Sequence, residues 1–293
     1  MSIDGSDEDS LASDIEVLPD ERERMLLKKS VGAKKTISRP TSSSSGLQIQ
    51  QSTGKANIYK TTWMIMGLPG SGKSTLASGF EECLFLVTSE KEVGSLQVPY
   101  ILIDSWEKTL TVTDELLNNR QKYAQYKFIV IDFVDAIWTM CAIAVCEKLG
   151  VAHQTDAQWG KGSDTLDNYF KKWLTALIAS SYGVIFISHV VQKDVVSPGG
   201  MITKTICSLP QRARNLMFPL VNVIGCIEYK TMKYTDAAGK PVMGKKRVMS
   251  FEGNEYIEAK DRDGVLPVEV VLAKDGKKNF EVFKDYYEGR RKK

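Results

Sequence analysis

The sequence predicts an α/β protein in which a central, mostly parallel sheet is flanked by helices. Three observations predict it: a glycine-rich loop after an apolar segment, short apolar runs that alternate with helical patterns, and an acid that closes one of those runs. Such alternation is typical of a parallel sheet covered on both faces. The chain has 293 residues, of which 43% are hydrophobic, and this suffices for one sizeable domain.

The two ends of the chain differ from its middle. Residues 1–57 are polar with few large apolar side chains, which predicts a disordered tail. Residues 1–24 carry nine acids and two arginines, whereas residues 25–60 carry seven basic residues and no acid. Blocks of one charge usually mark solvated, interacting tails. We predict the domain proper over residues 58–270 and a C-terminal helix with a basic tail over 271–293.

The composition argues against several classes of protein. No segment approaches the roughly 20 apolar residues of a membrane span, and the acidic N-terminus is unlike a secretory signal. The five cysteines are scattered without a Cys-x-x-Cys pair, and there are two histidines, so neither a zinc site nor a disulfide framework is predicted. We expect a cytoplasmic protein with no membrane partner.

Apolar runs define the predicted strands, and the segments between them define the helices. The strands are Trp63–Gly67, Leu84–Val87, Tyr100–Ile103, Phe128–Ile131, Val184–Ile187 and Val221–Ile227. The helices are one from about Lys73 and others near Thr109–Arg120, Val134–Leu149 and Asp164–Ser181. Residues 229–251 alternate around an Ala-Gly-Lys-Pro turn, which predicts a C-terminal β-hairpin region.

A phosphate-binding loop follows the first strand. Its residues are Gly67, Leu68, Pro69, Gly70, Ser71, Gly72, Lys73, Ser74 and Thr75, which match G-x-x-x-x-G-K-[ST] in full between a strand and a helix. Glycines let backbone amides turn inward around a phosphate. Lys73 is expected to reach the β- and γ-phosphates, Ser74 to bind Mg²⁺, and Thr75 to lie near the α-phosphate. The loop therefore predicts a protein that binds ATP with Mg²⁺.

Polar side chains close two other apolar strands. Asp132 ends the run 128–131 in the Walker B position, where a carboxylate points into the ligand crevice of a parallel sheet and, with Ser74, could hold Mg²⁺. His189 follows the run 184–187 and could sense the γ-phosphate. The alternatives are an ordinary strand-end aspartate and a structural histidine.

Hydrolysis also needs a group that orients the attacking water. No glutamate directly follows Asp132. The nearest candidate is Glu90, after the strand at 84–87, and Glu107 is the runner-up.

These segments, in this order, resemble the RecA-like ATPases of bacteriophages. More narrowly, they resemble the phage nucleotide-binding, RecA-core single-strand annealing proteins over about residues 58–267. The segments that carry the resemblance are Gly67–Thr75, Leu84–Glu90, Ile103–Glu107, Val130–Asp132, Trp159–Gly162, Ile187–His189, Leu209–Pro210 and Ala259–Arg262. Each is short, and their order is the specific feature.

The resemblance implies a RecA-like P-loop NTPase fold with Glu90 as the catalytic carboxylate and His189 as the sensor. The family's Asp-Thr-Glu step is Thr88-Ser89-Glu90 here, so one carboxylate of that step is missing. The resemblance also implies that Lys260 and Arg262 reach the ATP of a neighbouring subunit in a ring or filament, as an arginine finger does. A charged turn on a solvated face is the alternative.

Two segments are candidates for binding nucleic acid. Residues 190–208 are predicted to be a loop that carries Lys193 and Lys204, with a Gly-Gly step for flexibility. Trp159 and Lys161 form the second candidate. Single-strand binding typically combines cations along the phosphates with aromatic stacking. Ordinary solvated lysines remain the alternative.

The leading hypothesis is a Mg²⁺-dependent, DNA-stimulated ATPase that oligomerises on single-stranded DNA in phage recombination, annealing or repair. Its partners would be single-stranded DNA, further copies of itself and a single-strand binding protein, in the cytoplasm of an infected bacterial host. One alternative is a non-hydrolysing, nucleotide-dependent DNA-binding or helicase-loading module. Another is a small-molecule kinase, which would also need an arginine-rich lid.

Overall fold

The computed structural model describes residues 54–197, 199–235 and 239–293. All but the last four residues of the predicted N-terminal tail lie outside these ranges. The strands within them are β1 (Thr62–Gly67), β2 (Cys83–Val87), β3 (Tyr100–Leu102), β4 (Phe128–Asp132), β5 (Gly183–Ser197), β6 (Gly200–Cys207), β7 (Val223–Thr235), β8 (Pro241–Ser250), β9 (Lys260–Asp261) and β10 (Glu269–Val271). The α-helices are α1 (Lys73–Ala77), α2 (Trp106–Asn118), α3 (Val134–Leu149), α4 (Lys161–Ile178), α5 (Gln211–Met217) and α6 (Gly276–Tyr287). None of these helices is both long and apolar enough to cross a membrane.

The strands form one sheet in the order β10-β8-β7-β1-β5-β4-β2-β3, with β6 paired to β5 and β9 to β7. Neighbouring strands from β7 to β3 in this order run parallel, whereas β8, β9, β10 and β6 join antiparallel. The predicted α/β class, with a mostly parallel sheet between helices, is confirmed.

The register of the central strands brings three predicted site residues to one edge. Strand β5 lies between β1 and β4, with Gly67 opposite His189 and Asp132 opposite Ile187. Because all three strands are parallel, their carboxyl ends meet at the same edge, where ligands bind in open α/β sheets. The glycine-rich loop, His189 and Asp132 are therefore neighbours.

The two faces of the sheet bury separate hydrophobic cores. Side chains alternate along each strand, so in β1 Met64 and Met66 enter one core while Trp63 and Ile65 enter the other. Helices α2 to α5 cover the first core, and α1 and α6 cover the second. Burial on both faces explains why the central strands are continuous apolar runs rather than alternating ones.

The C-terminal helix α6 packs into the same core as α1, the helix that follows the glycine-rich loop. The ring of Phe283 stacks on that of Trp63 with centroids 5.5 Å apart. A Cβ added to Gly276 would lie 2.3 Å from the Thr75 carbonyl oxygen, and one added to Gly79 would lie 1.9 Å from the Gly276 carbonyl carbon. Only glycine permits this approach of α6 to α1. The predicted division at residue 270 falls within β10.

Two segments beyond the central strands are hairpins. Residues 190–208, predicted to be a loop, instead form the hairpin of β5 and β6, and that prediction is wrong. The reason is local: residues 202–206 read Ile-Thr-Lys-Thr-Ile, and β-branched side chains such as these favour a strand over a loop. The predicted C-terminal hairpin is confirmed, although β7 runs into it without a break after Ile227.

Candidate nucleotide-binding site

The glycine-rich loop connects β1 to α1 with the backbone that a phosphate-binding nest requires. Gly70 and Gly72 have φ angles of 76° and 83°, which L-residues with side chains rarely adopt. A Cβ on Gly67 would lie 2.6 Å from the Ser71 hydroxyl oxygen. The sequence therefore needs glycine at these positions for the loop to turn tightly enough for its amides to face a phosphate.

Lys73 lies at the centre of this loop. Its ammonium nitrogen is 3.0 Å from the Gly67 carbonyl oxygen and 3.0 Å from that of Leu68, and it donates a hydrogen bond to each. It is also 3.2 Å from Nδ1 of His189. These contacts hold a buried positive charge at the mouth of the loop, where the predicted phosphates would lie.

Asp132 offers an oxygen that lacks a protein partner. The residue is 3% exposed, and its Oδ2 is buried without a hydrogen bond. Burial raises the pKa of the Asp132 carboxyl, while hydrogen bonding by the Ser74 hydroxyl and the charge of Lys73 lower it. Burial also lowers the pKa of the Lys73 ammonium, against the effect of Asp132.

These donors fit the predicted magnesium ion. A buried carboxylate oxygen without a donor is well suited to a cation, and Mg²⁺ is usually bound by one or two protein oxygens together with phosphates and water. Across the described residues, no group of three or more His, Cys, Asp or Glu side chains could hold a metal ion. An ion at this site would therefore depend on Ser74, Asp132 and the nucleotide itself.

Asp135, in the first turn of α3, joins the site although the sequence analysis did not single it out. One of its carboxylate oxygens accepts a hydrogen bond from the Ser208 hydroxyl, and the other is buried without a partner. The Ser208 backbone amide donates to the His189 carbonyl oxygen at 3.0 Å. The position of Asp135, three residues after Asp132, could have indicated that it belongs to the site, because the first helical turn after a strand stays at the same edge of the sheet. Ser208 thus ties the base of the β5–β6 hairpin to the site.

The surroundings of His189 favour its neutral form. Burial and the nearby charge of Lys73 lower its pKa, and Asp135 opposes them. The edge of the Phe133 ring contacts the imidazole, with centroids 4.9 Å apart. A neutral ring beside Lys73 can accept its hydrogen bond at Nδ1.

This lowered pKa predicts a pH-dependent stability. Below the ordinary histidine pKa of about 6.5 the unfolded chain takes up a proton that folded His189 resists, so the free energy of unfolding should fall as pH falls. We expect His189→Gln to flatten this part of the curve, measured by urea unfolding between about pH 7.5 and 5.5. The matched control is His153→Gln, which replaces the other histidine, an exposed one. Parallel curves for wild type and His189→Gln would contradict the assignment.

The glutamates after β2 occupy different environments. Glu90 is exposed and accepts a hydrogen bond from the Tyr100 hydroxyl at 3.3 Å. Glu92 is partly buried and accepts hydrogen bonds from the Thr88 amide at 3.1 Å, the Thr88 hydroxyl at 3.0 Å and the Ser89 amide at 3.4 Å. Burial raises the pKa of Glu92; the bonds from Thr88 lower it and the charge of Asp132 raises it further. Glu107, the runner-up, is exposed in the first turn of α2.

Glu92, which the sequence analysis did not single out, therefore lies near enough to Asp132 for the charge of Asp132 to affect its pKa. The signal was present as a capping box, in which Ser89 and Glu92 cap the short turn reciprocally. Such a box indicates a fixed turn and carries no information on catalysis.

Lys260 and Arg262 lie away from the loop of their own chain. The Lys260 ammonium donates to the Phe218 carbonyl oxygen at 2.5 Å, and the Arg262 guanidinium donates to that of Pro219. Lys260 pairs with Ile224, near the amino end of β7, whereas the loop begins beside Ile227. Three residues of strand span roughly 10 Å at about 3.3 Å each. The structure does not bring these cations to the phosphates of the same molecule.

The predicted DNA-binding lysines lie outside the loop; Lys161 and Lys193 are exposed, and Lys204 is partly buried. Lys193 and Lys204 face each other across the β5–β6 hairpin. Lys161 begins α4, just after Trp159, which is 97% exposed. Arg212 at the start of α5 forms an ion pair with Asp167 of α4 at 2.9 Å, which links these two helices.

Comparison with known proteins decides the family. A family model described as the AAA domain matches residues 59–263. This chain belongs to the AAA domain family. Its AAA domain contains the P-loop, Asp132, His189 and the Lys260–Arg262 step, and the match ends before α6. The RecA-like P-loop NTPase architecture predicted from the sequence is confirmed for this AAA domain.

Other comparisons are more distant. No curated protein matches the sequence. Among solved structures, the AAA domain protein is similar to a KaiC-like protein from the hyperthermophilic archaeon Pyrococcus horikoshii OT3, with 12% sequence identity and a TM-score of 0.34 over 65% of this chain and 77% of that one. The narrower resemblance to phage single-strand annealing proteins stays a prediction.

Proposed function

We propose that this AAA protein binds and hydrolyses ATP with Mg²⁺, and that it couples this cycle to binding single-stranded DNA as an assembly of identical subunits. One observation carries the proposal of ATP binding. At one edge of the sheet, the Lys73 ammonium, the Ser74 hydroxyl and the unpartnered oxygen of Asp132 converge on the glycine-rich loop. The resemblance to phage single-strand annealing proteins supports a role in DNA recombination, annealing or repair.

In this proposal each residue binds or orients. The loop amides would hold the β-phosphate and Lys73 would contact the β- and γ-phosphates, while Ser74 and Asp132 would hold the ion. Bound Mg²⁺ supplies positive charge against the negative charge of the phosphates. His189, which contacts Lys73, would respond to the γ-phosphate and transmit its presence to the β5–β6 hairpin through its own carbonyl and Ser208.

For the attacking water we retain Glu90 and give Glu92 a positioning role. The oxygens of Glu92 already accept three hydrogen bonds within its own turn, so they have little capacity left to accept a proton from water. Glu90 begins that turn, after the carboxyl end of β2, and its side chain makes one long contact, to Tyr100. Glu92 would then hold the turn that presents Glu90.

The two glutamates give a matched pair of variants. We expect Glu90→Gln to lower kcat by about 100-fold or more, the usual range for general-base loss, with MgATP affinity unchanged. Glu92→Gln, with the same change of charge, should lower kcat by less than about tenfold because it weakens only the turn. Single-turnover phosphate release measures the effect of each variant on hydrolysis, and equilibrium nucleotide binding measures its effect on MgATP affinity. A large loss in Glu92→Gln with normal turnover in Glu90→Gln would reverse the roles.

Lys260 and Arg262 support assembly. They lie toward the amino ends of the strands, whereas the phosphate-binding loop lies at the carboxyl ends, so they could complete only the site of another molecule. Burial and the neighbouring Arg262 lower the pKa of Lys260, which makes an anionic partner favourable to it. We propose that the pair reaches a neighbour's ATP.

The β5–β6 hairpin supports DNA binding. Lys193 and Lys204 are directly opposed on one face, and like charges in that position destabilise a sheet unless an anion lies between them. Trp159, almost fully exposed beside Lys161, could stack on a base. A backbone phosphate over the hairpin and a base on the tryptophan would fit a single strand bound without regard to sequence.

The DNA proposal is tested by salt dependence. We expect wild-type affinity for a fluorescent oligo-dT strand to fall as salt rises, and Lys193→Ala with Lys204→Ala to reduce the slope of log K against log salt by about 1.4, at about 0.7 per phosphate contact. The control is Lys171→Ala with Lys172→Ala on α4, two exposed lysines that remove the same charge. Equal slopes for all three proteins would exclude the hairpin, and an affinity that barely changes with salt would contradict DNA binding through phosphates.

One observation favours a second candidate, a non-hydrolysing, nucleotide-dependent DNA-binding module. Glu90 is exposed, and position 88 holds threonine where the phage annealing proteins that the sequence resembles have an acid. This candidate predicts nucleotide binding with negligible phosphate release even when DNA is present. Turnover measured with and without single-stranded DNA decides between the two.

A further inference from the structure

Arg247 on β8 lies against the phosphate-binding loop. It stands opposite Tyr229 in the β7–β8 hairpin, and its partly buried side chain points toward the end of β1. Its Nη1 donates to the Ser71 carbonyl oxygen at 3.3 Å, and its Nη2 donates to the Ala273 carbonyl oxygen at 2.5 Å. The guanidinium thus bridges the loop to the segment that precedes α6.

The fit against the loop is close. A Cβ added to Gly72 would lie 2.1 Å from Nη1 of Arg247. Gly72 therefore serves two purposes: its φ of 83° requires glycine, and the guanidinium occupies the space in which a side chain would lie. A contact this close transmits any displacement of Arg247 to the loop.

The other end of the bridge is fixed. The buried side chain of Asn279 accepts a hydrogen bond from the Ala273 amide at 2.7 Å and donates to the Ala273 carbonyl oxygen at 3.1 Å. The Leu272 amide donates to the backbone oxygen of Arg247 at 2.8 Å. Arg247 is therefore anchored to the C-terminal segment by both its backbone and its side chain.

This arrangement bears on how the nest binds an anion. The amides of such a loop can face inward only while its carbonyl groups face outward. A cation that binds an outward carbonyl stabilises that orientation, and charge-assisted hydrogen bonds are about twice as strong as neutral ones. Arg247 acts on Ser71 in this way, whereas Lys73 binds the carbonyl oxygens of Gly67 and Leu68.

We propose that Arg247 is a positioning residue that holds the phosphate-binding loop in its anion-binding form, so that the β7–β8 hairpin and the residues before α6 set the affinity for nucleotide. The inference rests on the proposed binding of MgATP. It adds a determinant of nucleotide affinity that lies partly outside the matched AAA domain, because Ala273 and Asn279 follow residue 263.

The test measures MgATP affinity and steady-state turnover in the full chain. Arg247→Ala should raise the Kd and KM for MgATP by about tenfold, as expected for one lost charge-assisted hydrogen bond, with kcat at saturation within about twofold of wild type because Arg247 does not touch the reacting atoms. Arg247→Lys should recover part of the affinity, since an ammonium cannot span both carbonyls. Free guanidinium ion, too dilute to denature, should narrow the gap for Arg247→Ala and leave wild type unchanged.

The control is Lys245→Ala, an exposed cation two residues away on the same strand, which should bind MgATP as wild type does. Wild-type affinity in Arg247→Ala would overturn the inference while leaving the proposed function intact. A loss confined to kcat, or one that guanidinium does not reduce, would also overturn it. Absence of MgATP binding by wild type would instead refute the proposed function.

Discussion

Replacing Lys73 with alanine should abolish ATP turnover, with kcat/KM reduced on the order of 1,000-fold or more. The reason is the position of its ammonium, which is bound to the Gly67 and Leu68 carbonyl oxygens at 3.0 Å each and lies where the β- and γ-phosphates are expected. Arg247, the cation that also binds this loop, is already held by the carbonyl oxygens of Ser71 and Ala273. Phosphate release measures the loss of turnover, and MgATP binding measures the loss of affinity.

A second variant separates the effect of the charge of Lys73 from that of its aliphatic packing. Lys73→Met keeps most of the aliphatic volume and should lose turnover as completely as Lys73→Ala. Lys91→Ala, which removes an exposed lysine after β2, should behave as wild type. Burial lowers the pKa of Lys73, so its charge is held at a cost to the fold, and neither variant at position 73 is expected to unfold more readily than wild type. Turnover above a tenth of wild type in Lys73→Met would contradict the proposed role.

Replacing Phe283 with alanine should lower the free energy of unfolding by about 3–5 kcal/mol, the usual cost of deleting a fully buried phenylalanine. Its ring is stacked on Trp63 at 5.5 Å and meets the edge of Phe251 at 5.7 Å. The cavity would open beneath α6 in a closely packed aromatic cluster that has little room to collapse. Urea unfolding at constant pH measures the change.

The control for this prediction lies on the same helix. Glu281→Ala removes an exposed side chain and should change the free energy of unfolding by less than about 0.5 kcal/mol. A loss below about 1 kcal/mol in Phe283→Ala would mean that α6 contributes little to the core. Since Gly276 of α6 contacts the Thr75 carbonyl of the loop helix, we also expect nucleotide binding to weaken as this helix loosens.

Features that depend on local spacing were predictable from the sequence. The loop from Gly67 to Thr75 and the acid at position 132 follow from short motifs whose chemistry needs those residue types. Helix α3 occupies the predicted range 134–149, because its apolar pattern is long and unambiguous. The order of strands around them then places His189 at the same edge.

Features that depend on distant parts of the chain were not predictable. Arg247 meets Ser71 across a separation of 176 residues, and no pattern in either segment indicates that contact. The packing of α6 on α1 depends in the same way on two glycines far apart in sequence. The β5–β6 hairpin was missed for a different reason: its Gly-Gly step suggested a flexible loop, whereas the segments on either side, rich in β-branched residues, pair into strands.

The separation of Lys260 and Arg262 from the phosphate-binding loop along the strands gives the molecule a front and a back. If these cations serve a neighbour, every row of molecules has two unlike termini, and the molecule at one terminus keeps a site that nothing completes. A short row leaves a larger share of its sites incomplete than a long one, so the mean turnover of each molecule would climb with row length. A closed circle has no terminus, and all of its sites would work even when the circle is small.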